Sequence, residues 1–378
     1  MKKILFFGTQ IATGGAQKLL LQQCNYFYKN GYDVLAVFLY SKEDLLNKWR
    51  KLYPFRIISL NSWSTDRVSF SKVIKLIKGI FRLIYLLITE KISIIETFTY
   101  ESNLIGIPFA WLFRVPIRIA TFHGLSKNPS RIFLILHGLI INLFASKLVL
   151  VSKHLEKFAI RDEKIKPNKL ITITNGIDLP KLNKDPMATR KQIRDELKLK
   201  PIDNVFISVG RLCYEKDHKS LLLAIAKIVV VYPNIKVLIV GDGEENEKLV
   251  GLSKKLKIET NVIFLGFRSN IMELLIASDF FIMTSVSEGY PLVLIEAKIV
   301  GLPIITTDFD GVENIIEDGV NGLIAEMKNP DHIAEKAIEL LNCKDLQKRL
   351  SKSNSAQIKS TEQMCAEYLD LFEQLECN

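Results

Sequence analysis

Short apolar runs alternate with stretches of helical period along this chain. KILFFG (3–8) predicts a strand, followed by a glycine loop at Gly14–Gly15 and a helix through about Tyr28. DVLAVFLY (33–40), ISIIE (92–96), IRIATF (117–122) and KLVLVS (147–152) predict further strands. Continuous apolar strands between helices imply a parallel sheet covered on both faces. The segment Ile173 to Pro186 is rich in Asn, Gly, Asp and Pro and reads as a hinge or linker. The pattern then restarts with strands at 204–211, 236–243, 261–267, 279–285 and 302–308, and helices at about 217–231 and 245–256. Two parallel α/β units therefore follow one another. In such folds ligands bind at the carboxyl ends of the strands, so a cleft between the two units is expected to hold the site.

The chain has 378 residues, enough for two or three domains. At 48% hydrophobic and 24% charged residues it has the composition of a soluble globular protein. The N-terminus lacks the long apolar region of a secretory signal. The apolar stretch Ile132 to Ala145 is short for a membrane span and contains His137 and Asn142, so it reads as a buried or membrane-lying helix. Five cysteines, none in a C-x-x-C pair, argue against a disulfide framework and a cysteine zinc site. A reducing cytosolic setting suits them.

Charge is uneven. Residues 1–178 carry 26 Lys/Arg against 11 Asp/Glu, a net +15, whereas residues 179–378 carry 25 against 30, a net −5. One half is thus suited to a polyanion. Lys72, Lys75, Lys78 and Arg82 recur at steps of three, three and four, on one stripe of a helix whose other positions include Ile74, Ile77, Phe81 and Ile84. This has the form of a basic helix lying on anionic lipid, and equally that of a domain helix with a solvated lysine face. No zinc-finger spacing or RNA-recognition signature accompanies the charge, so nucleic acid is not an expected partner.

Gly8, Gly14 and Gly15 do not fit G-x-G-x-x-G, and Glu244, Glu245 and Glu247 crowd the Gly241–Gly243 turn, which disfavours a nicotinamide site. SEGYPLVLIEA (287–297) is more informative. Glu288 and Glu296 are separated by seven residues, Gly289 permits a tight turn, and Pro291 suits a first helical position. The backbone N–H groups that follow can bind a diphosphate, and Glu296 could accept hydrogen bonds from a ribose or sugar diol. A capped surface helix with incidental acids fits the same residues. Arg211, directly after a strand, and Lys216, five residues on, could neutralise a nucleotide diphosphate. Asp308 and Asp310 form a D-x-D, read here as part of a loop, and the five histidines show no ligand spacing.

GGAQ, TFHG (121–124), VSKHLEKF (151–158), TNGID (174–178), GRLCYEKD (210–217), IVGDGEE (239–245), FLGF (264–267), SEGYPLVLIEA, GLPIITTD (301–308) and DGVNGLI (318–324) occur in this order. Together they resemble the retaining, nucleotide-sugar-dependent glycosyltransferases of family 4. That resemblance implies a GT-B fold, with two Rossmann-like parallel α/β domains facing across a cleft. It implies an acceptor domain over about 1–180, a donor domain over 181–360, and a final helix, 361–378, packed back on the first domain.

It also implies roles. Arg211 and Lys216 would hold the diphosphate, Glu296 the ribose and Glu288 the sugar. The backbone of Gly289, Tyr290, Pro291 and Leu292 would cradle phosphates and sugar, with Phe267 and Arg268 beside the base. Gly15 would approach the donor phosphate or acceptor, and His123 would lie beside the sugar, so that His123, Arg211, Lys216 and Glu288 form the catalytic set. Gly14, Gly15, Ala16 and Thr99 are acceptor-side candidates, although ETFTYES (96–102) replaces the histidine-rich stretch common in relatives. The expected donor is a UDP-sugar, then a GDP-sugar, carrying a hexose or N-acetylhexosamine; no metal or other cofactor is expected. The expected acceptor is lipid-linked or a membrane-associated glycan of a surface polysaccharide. The enzyme would then sit peripherally at the inner face of the cytoplasmic membrane, against anionic lipid. A soluble enzyme with a small acceptor and a non-catalytic scaffold are the alternatives.

Overall fold

The computed structural model describes residues 2–11, 15–41, 45–62, 70–123, 130–178, 185–353 and 359–377. Gly14 lies outside them, as does the side chain of Lys72. The chain divides into two compact units, Met1–Asp178 with Lys359–Asn378, and Leu179–Ile358.

The first unit contains β1 (Lys3–Ile11), α1 (Gly15–Lys29), β2 (Asp33–Ser41), α2 (Leu45–Leu52), β3 (Arg56–Ser59), α3 (Phe70–Thr89), β4 (Ile94–Thr97), α4 (Tyr100–Leu112), β5 (Ile117–Phe122), α5 (Arg131–Phe144), β6 (Lys147–Leu150), α6 (Leu155–Arg161) and β7 (Leu170–Thr172). Its seven strands are ordered β3-β2-β1-β4-β5-β6-β7, and their pairings are parallel. Ile4, Leu5, Phe6 and Phe7 of β1 are all fully buried. A central strand covered on both faces has no polar alternation, which is why these runs are continuously apolar. The direction in which successive strands are added across the sheet reverses between β1 and β4. With right-handed crossovers, α3, α4 and α5 therefore cover one face and α1 and α2 the other.

The second unit contains α7 (Pro186–Glu196), β8 (Asn204–Val209), α8 (His218–Val231), β9 (Ile235–Val240), α9 (Asn246–Lys255), β10 (Val262–Gly266), α10 (Ile271–Ala277), β11 (Phe280–Met283), α11 (Leu292–Val300), β12 (Ile304–Thr307), β13 (Leu323–Ala325), α12 (Pro330–Asn342) and α13 (Lys344–Ser353). Its six strands are ordered β10-β9-β8-β11-β12-β13, with the same reversal, here between β8 and β11. Leu221, Ile225 and Ile228 of α8 pack with Ile333, Ala337 and Leu340 of α12 in one core.

The last helix, α14 (Thr361–Glu376), belongs to the first unit. Ser360 caps it through a capping box with Gln363. Ile177 N–H donates to the Lys359 carbonyl at 3.0 Å, and a Cβ on Gly176 would meet the Ser360 carbonyl at 2.2 Å. Phe372 packs its ring 5.7 Å from Phe27 of α1. Tyr368 and Phe372 are almost fully buried, and each such aromatic contributes roughly 2–3 kcal/mol.

Glu96 anchors this arrangement. Its carboxyl is buried on β4, accepts from Thr121 Oγ1 at 3.2 Å, and faces the Gln23 amide at 3.0 and 3.1 Å, so the amide donates. Burial pushes its pKa up to about 8, against lowering by hydrogen bonds from Thr121, Tyr368 and Gln23. The folded protein thus holds a proton that the unfolded chain releases above the ordinary carboxyl value of 4.5. This stabilisation is complete below that value and is lost as pH rises through the folded pKa, at about 1.4 kcal/mol per pH unit in between. Glu96→Gln is expected to remove that component of the slope. Urea unfolding of both proteins between pH 5 and pH 9 checks it: the wild-type slope against pH should be the more negative over this range.

Candidate active site

In the second unit the site residues gather where the sheet reverses. β8 ends at Val209 and runs into Gly210–Asp217; β11 ends at Met283 and runs into Thr284–Pro291. Open α/β sheets bind ligands at such a point. Lys216 Nζ is ion-paired with Glu288 Oε1, and Ser285 Oγ donates to the same oxygen at 2.6 Å. The Lys216 side chain is 23% exposed and that of Glu288 10%, so the pair lies at the edge of bulk water. Arg211 is more exposed and has Glu215 at 3.9 Å.

Backbone contacts hold the two loops together. Thr284 Oγ1 lies 2.9 Å from the Asp217 carbonyl, and Val286 N–H donates to the Glu215 carbonyl at 2.9 Å. Thr307 Oγ1 donates to the Ser285 carbonyl at 2.5 Å. Beneath them, Leu212 N–H donates to the Asp242 carbonyl at 3.0 Å. Cβ atoms on Gly241 and Gly243 would fall 1.9 Å from the Gly210 carbonyl and 2.3 Å from the Leu212 carbonyl. The GDG turn is therefore glycine because the cation-bearing loop lies directly on its backbone.

Pro291 is the N-cap of α11, one position earlier than the first helical residue anticipated from sequence. Pro291 has no side-chain group with which to cap this helix, and no acid lies in its first turn. Its leading N–H groups therefore favour an anion. Glu296, one turn on, is buried with 8% exposure. Tyr290 has its hydroxyl pKa raised by burial. At the end of β10 Phe267 is exposed, whereas Arg268 donates to Glu196 Oε1 at 2.7 Å and to Asn270 Oδ1 at 3.1 Å. Its guanidinium is thus engaged by two side chains of its own unit. Asp308 Oδ1 accepts from Met327 N–H at 2.6 Å, and Phe309 between the two aspartates is buried. Asp308 is thus tied to neighbouring backbone, and Asp310 is exposed.

In the first unit His123 directly follows β5. Its ring stacks on Phe98 with centroids 5.5 Å apart, and its Nε2 is shielded with no partner among the described residues. Burial pushes its pKa down to about 4, so the imidazole is neutral near pH 7 and can offer one donor and one acceptor. Thr99 caps α4, shares a hydrogen bond with Thr9, and lies near Glu101, whose Oε2 accepts from Thr9 at 3.3 Å. Gly15 and Ala16 open α1. Glu96, in the ETFTYES stretch, is buried in the core. Of the four basic candidates on α3, Lys75 and Lys78 are exposed; Arg82 donates to the Leu60 carbonyl at 2.8 Å.

Sequence reasoning missed Ser285, Thr284 and Thr9. Their signal was position: each is a hydroxyl at the carboxyl end of a strand beside a sheet reversal.

These two doubly wound units, with a cation pair and an uncapped helix start at one reversal, define a GT-B glycosyltransferase architecture. Residues 13–181 match the family described as Glycosyltransferase Family 4 and residues 189–357 that described as Glycosyl transferases group 1, and the chain belongs to the family 4 glycosyltransferases. It is 28% identical over 284 residues to an Escherichia coli UDP-Gal:alpha-D-GlcNAc-diphosphoundecaprenol alpha-1,3-galactosyltransferase, covering 72% of this chain and 73% of the relative. It is 26% identical over 353 residues to the Staphylococcus aureus capsular polysaccharide biosynthesis glycosyltransferase CapM, covering 90% and 89%. Anabaena Alr3699/HepE, solved in complex with UDP-glucose, shares the fold with a TM-score of 0.86 at 19% identity, over 99% of this chain and 100% of that one.

Proposed function

We propose that this glycosyltransferase is retaining and moves a hexose or N-acetylhexosamine from a UDP-sugar to a lipid-linked or membrane-associated glycan acceptor. The reaction belongs to surface polysaccharide synthesis at the inner face of the cytoplasmic membrane. The observation that carries the reading is the Lys216–Glu288–Ser285 cluster at the β8/β11 reversal, beside the uncapped start of α11. The E. coli relative, named for a UDP-galactose donor and a diphosphoundecaprenol acceptor, supports the choice of UDP and of lipid.

The chemistry follows from these groups. As the bond between the anomeric carbon and the diphosphate breaks, negative charge grows on the departing phosphate and positive charge on the sugar ring. Lys216, Arg211 and the α11 N–H groups stabilise the first. Glu288 stabilises the second and orients sugar hydroxyls, while Glu296 accepts from the ribose. The acceptor hydroxyl attacks from the face the diphosphate leaves, and its proton passes to a departing phosphate oxygen. His123, neutral near pH 7, is the first unit's proposed hydrogen-bonding group for a substrate hydroxyl and adds no positive charge. Lysine, arginine and helix amides supply the leaving-group stabilisation without a resident metal.

Thermal unfolding with UDP-, GDP- and ADP-sugars, with and without chelator, tests this. A ligand at 100 times its Kd stabilises by about 2.7 kcal/mol. UDP-sugars are expected to raise Tm equally with and without chelator, and Glu296→Ala to lose most of the shift. No shift with any nucleotide would overturn the donor reading, and a chelator-sensitive shift would overturn the metal-free one.

A further inference from the structure

The helix layer formed by α3, α4 and α5 is apolar on the side facing away from its own sheet. On α3 the buried positions are Gly79, Leu83, Leu86 and Leu87. Ile74, Ile77, Phe81, Tyr85 and Ile88 are exposed, Phe81 and Tyr85 to 66% each. At 3.6 residues per turn these five fall within an arc of about 80°. Lys75 and Lys78 border that arc on one side, and the sequence of α3 contains no acidic residue.

Helix α5 repeats the arrangement in stronger form. Its buried face carries His137, Gly138 and Ile141. His137 is bonded to Glu163 Oε2 at 3.1 Å and to Asn103 at 3.1 Å, so a polar network faces inward. Outward stand Ile132, Ile135, Leu136, Leu139 and Leu143, between 47% and 80% exposed. This helix too has no acidic residue. The end of α4 joins the two: it packs against both, its exposed Trp111 ring lies 4.8 Å from Phe144, and Leu112 is exposed beside it.

We infer that this three-helix face is a docking surface for an anionic lipid bilayer, with the aliphatic rows of α3 and α5 entering the acyl boundary and Lys75 and Lys78 contacting headgroups. The inference deepens the proposed use of a lipid-linked acceptor and rests on it. Charge complementarity selects the occupant: an extended apolar face bordered by lysines and free of acids on α3 and α5 suits negatively charged lipid. Exposed Trp111 and Tyr85 have the amphipathic rings favoured at headgroup level. Among the described residues no helix is long and apolar enough to cross a membrane, so the contact is one of lying on the surface.

Co-sedimentation of the full chain with phosphatidylcholine vesicles, with and without phosphatidylglycerol, tests the surface. The wild type is expected to partition at least tenfold better onto the anionic vesicles, and less so in high salt. F81S/I135S/L139S should lose at least tenfold of that binding, and K75E/K78E only the anionic preference. These side chains are exposed, so Tm and UDP binding without lipid should match wild type. Equal binding by the triple variant, or no binding by the wild type, would overturn the docking surface. So would a concentration-dependent dimer that the triple variant converts to monomer, which would make a second copy the occupant. Loss of UDP binding in the wild type would instead overturn the donor reading and leave the vesicle result standing by itself.

Discussion

Lys216→Ala is expected to lower the rate of sugar transfer by about 10²–10³-fold, the scale of losing one preorganised charge at a developing anion. The ammonium is held in place by more than its own rotamer. Its backbone N–H donates to the Cys213 carbonyl at 3.1 Å, its carbonyl accepts from Thr284 at 3.2 Å, and its Nζ is paired with Glu288. Truncation removes the positive charge from the leaving phosphate and leaves the mostly buried Glu288 carboxylate with Ser285 as its remaining donor among the described side chains. Lys216 also holds the bound diphosphate, so kcat should fall and kcat/KM should fall further. Lys216→Gln separates the charge from the hydrogen bond, because an amide can still donate to Glu288. If the charge is what matters, initial-rate measurements will find Gln nearly as impaired as Ala. A Gln variant close to wild type would show that Lys216 only positions Glu288.

The second large effect is on stability. Gly241 has φ +137°, and a Cβ there would lie 1.9 Å from the Gly210 carbonyl. Neither strain nor clash can be relieved by a side-chain rotation, since the obstructing atom is backbone. Gly241→Ala should cost about 3 kcal/mol or more of folding free energy. It should also weaken nucleotide binding, because the displaced backbone leads straight into Arg211. Gly251→Ala, on α9 with nothing within 4 Å of the added atom, is the control. It should be neutral or stabilising by about 0.5–1 kcal/mol. Urea unfolding of the pair measures the contrast, and similar midpoints would contradict this account of the turn.

The central strands were legible because both of their faces are buried: IRIATF is β5 residue for residue. The edge strands β3, β7 and β13 were not, being three or four residues long and partly solvated. Sequence order also could not reveal that Lys216 and Glu288, 72 residues apart, meet as an ion pair. That contact depends on which strands neighbour one another across the sheet reversal. Arg268 illustrates the opposite limit, because its partner Glu196 comes from a helix that no local motif associates with it. On α3 and α5 apolar residues surround most of the helix, so periodicity alone could not say which face is solvent-exposed. The inward position of His137 and its bonds to Glu163 and Asn103 decide it for α5.

The central claim is that a nucleoside diphosphate binds between the Lys216 loop and the start of α11. Calorimetric titration of UDP into the full chain, with chelator present, tests it most directly when repeated on Lys216→Ala. The account predicts one site per chain in the wild type and at least tenfold weaker binding in the variant. Absence of binding to the wild type, or equal affinity for both proteins, would contradict it.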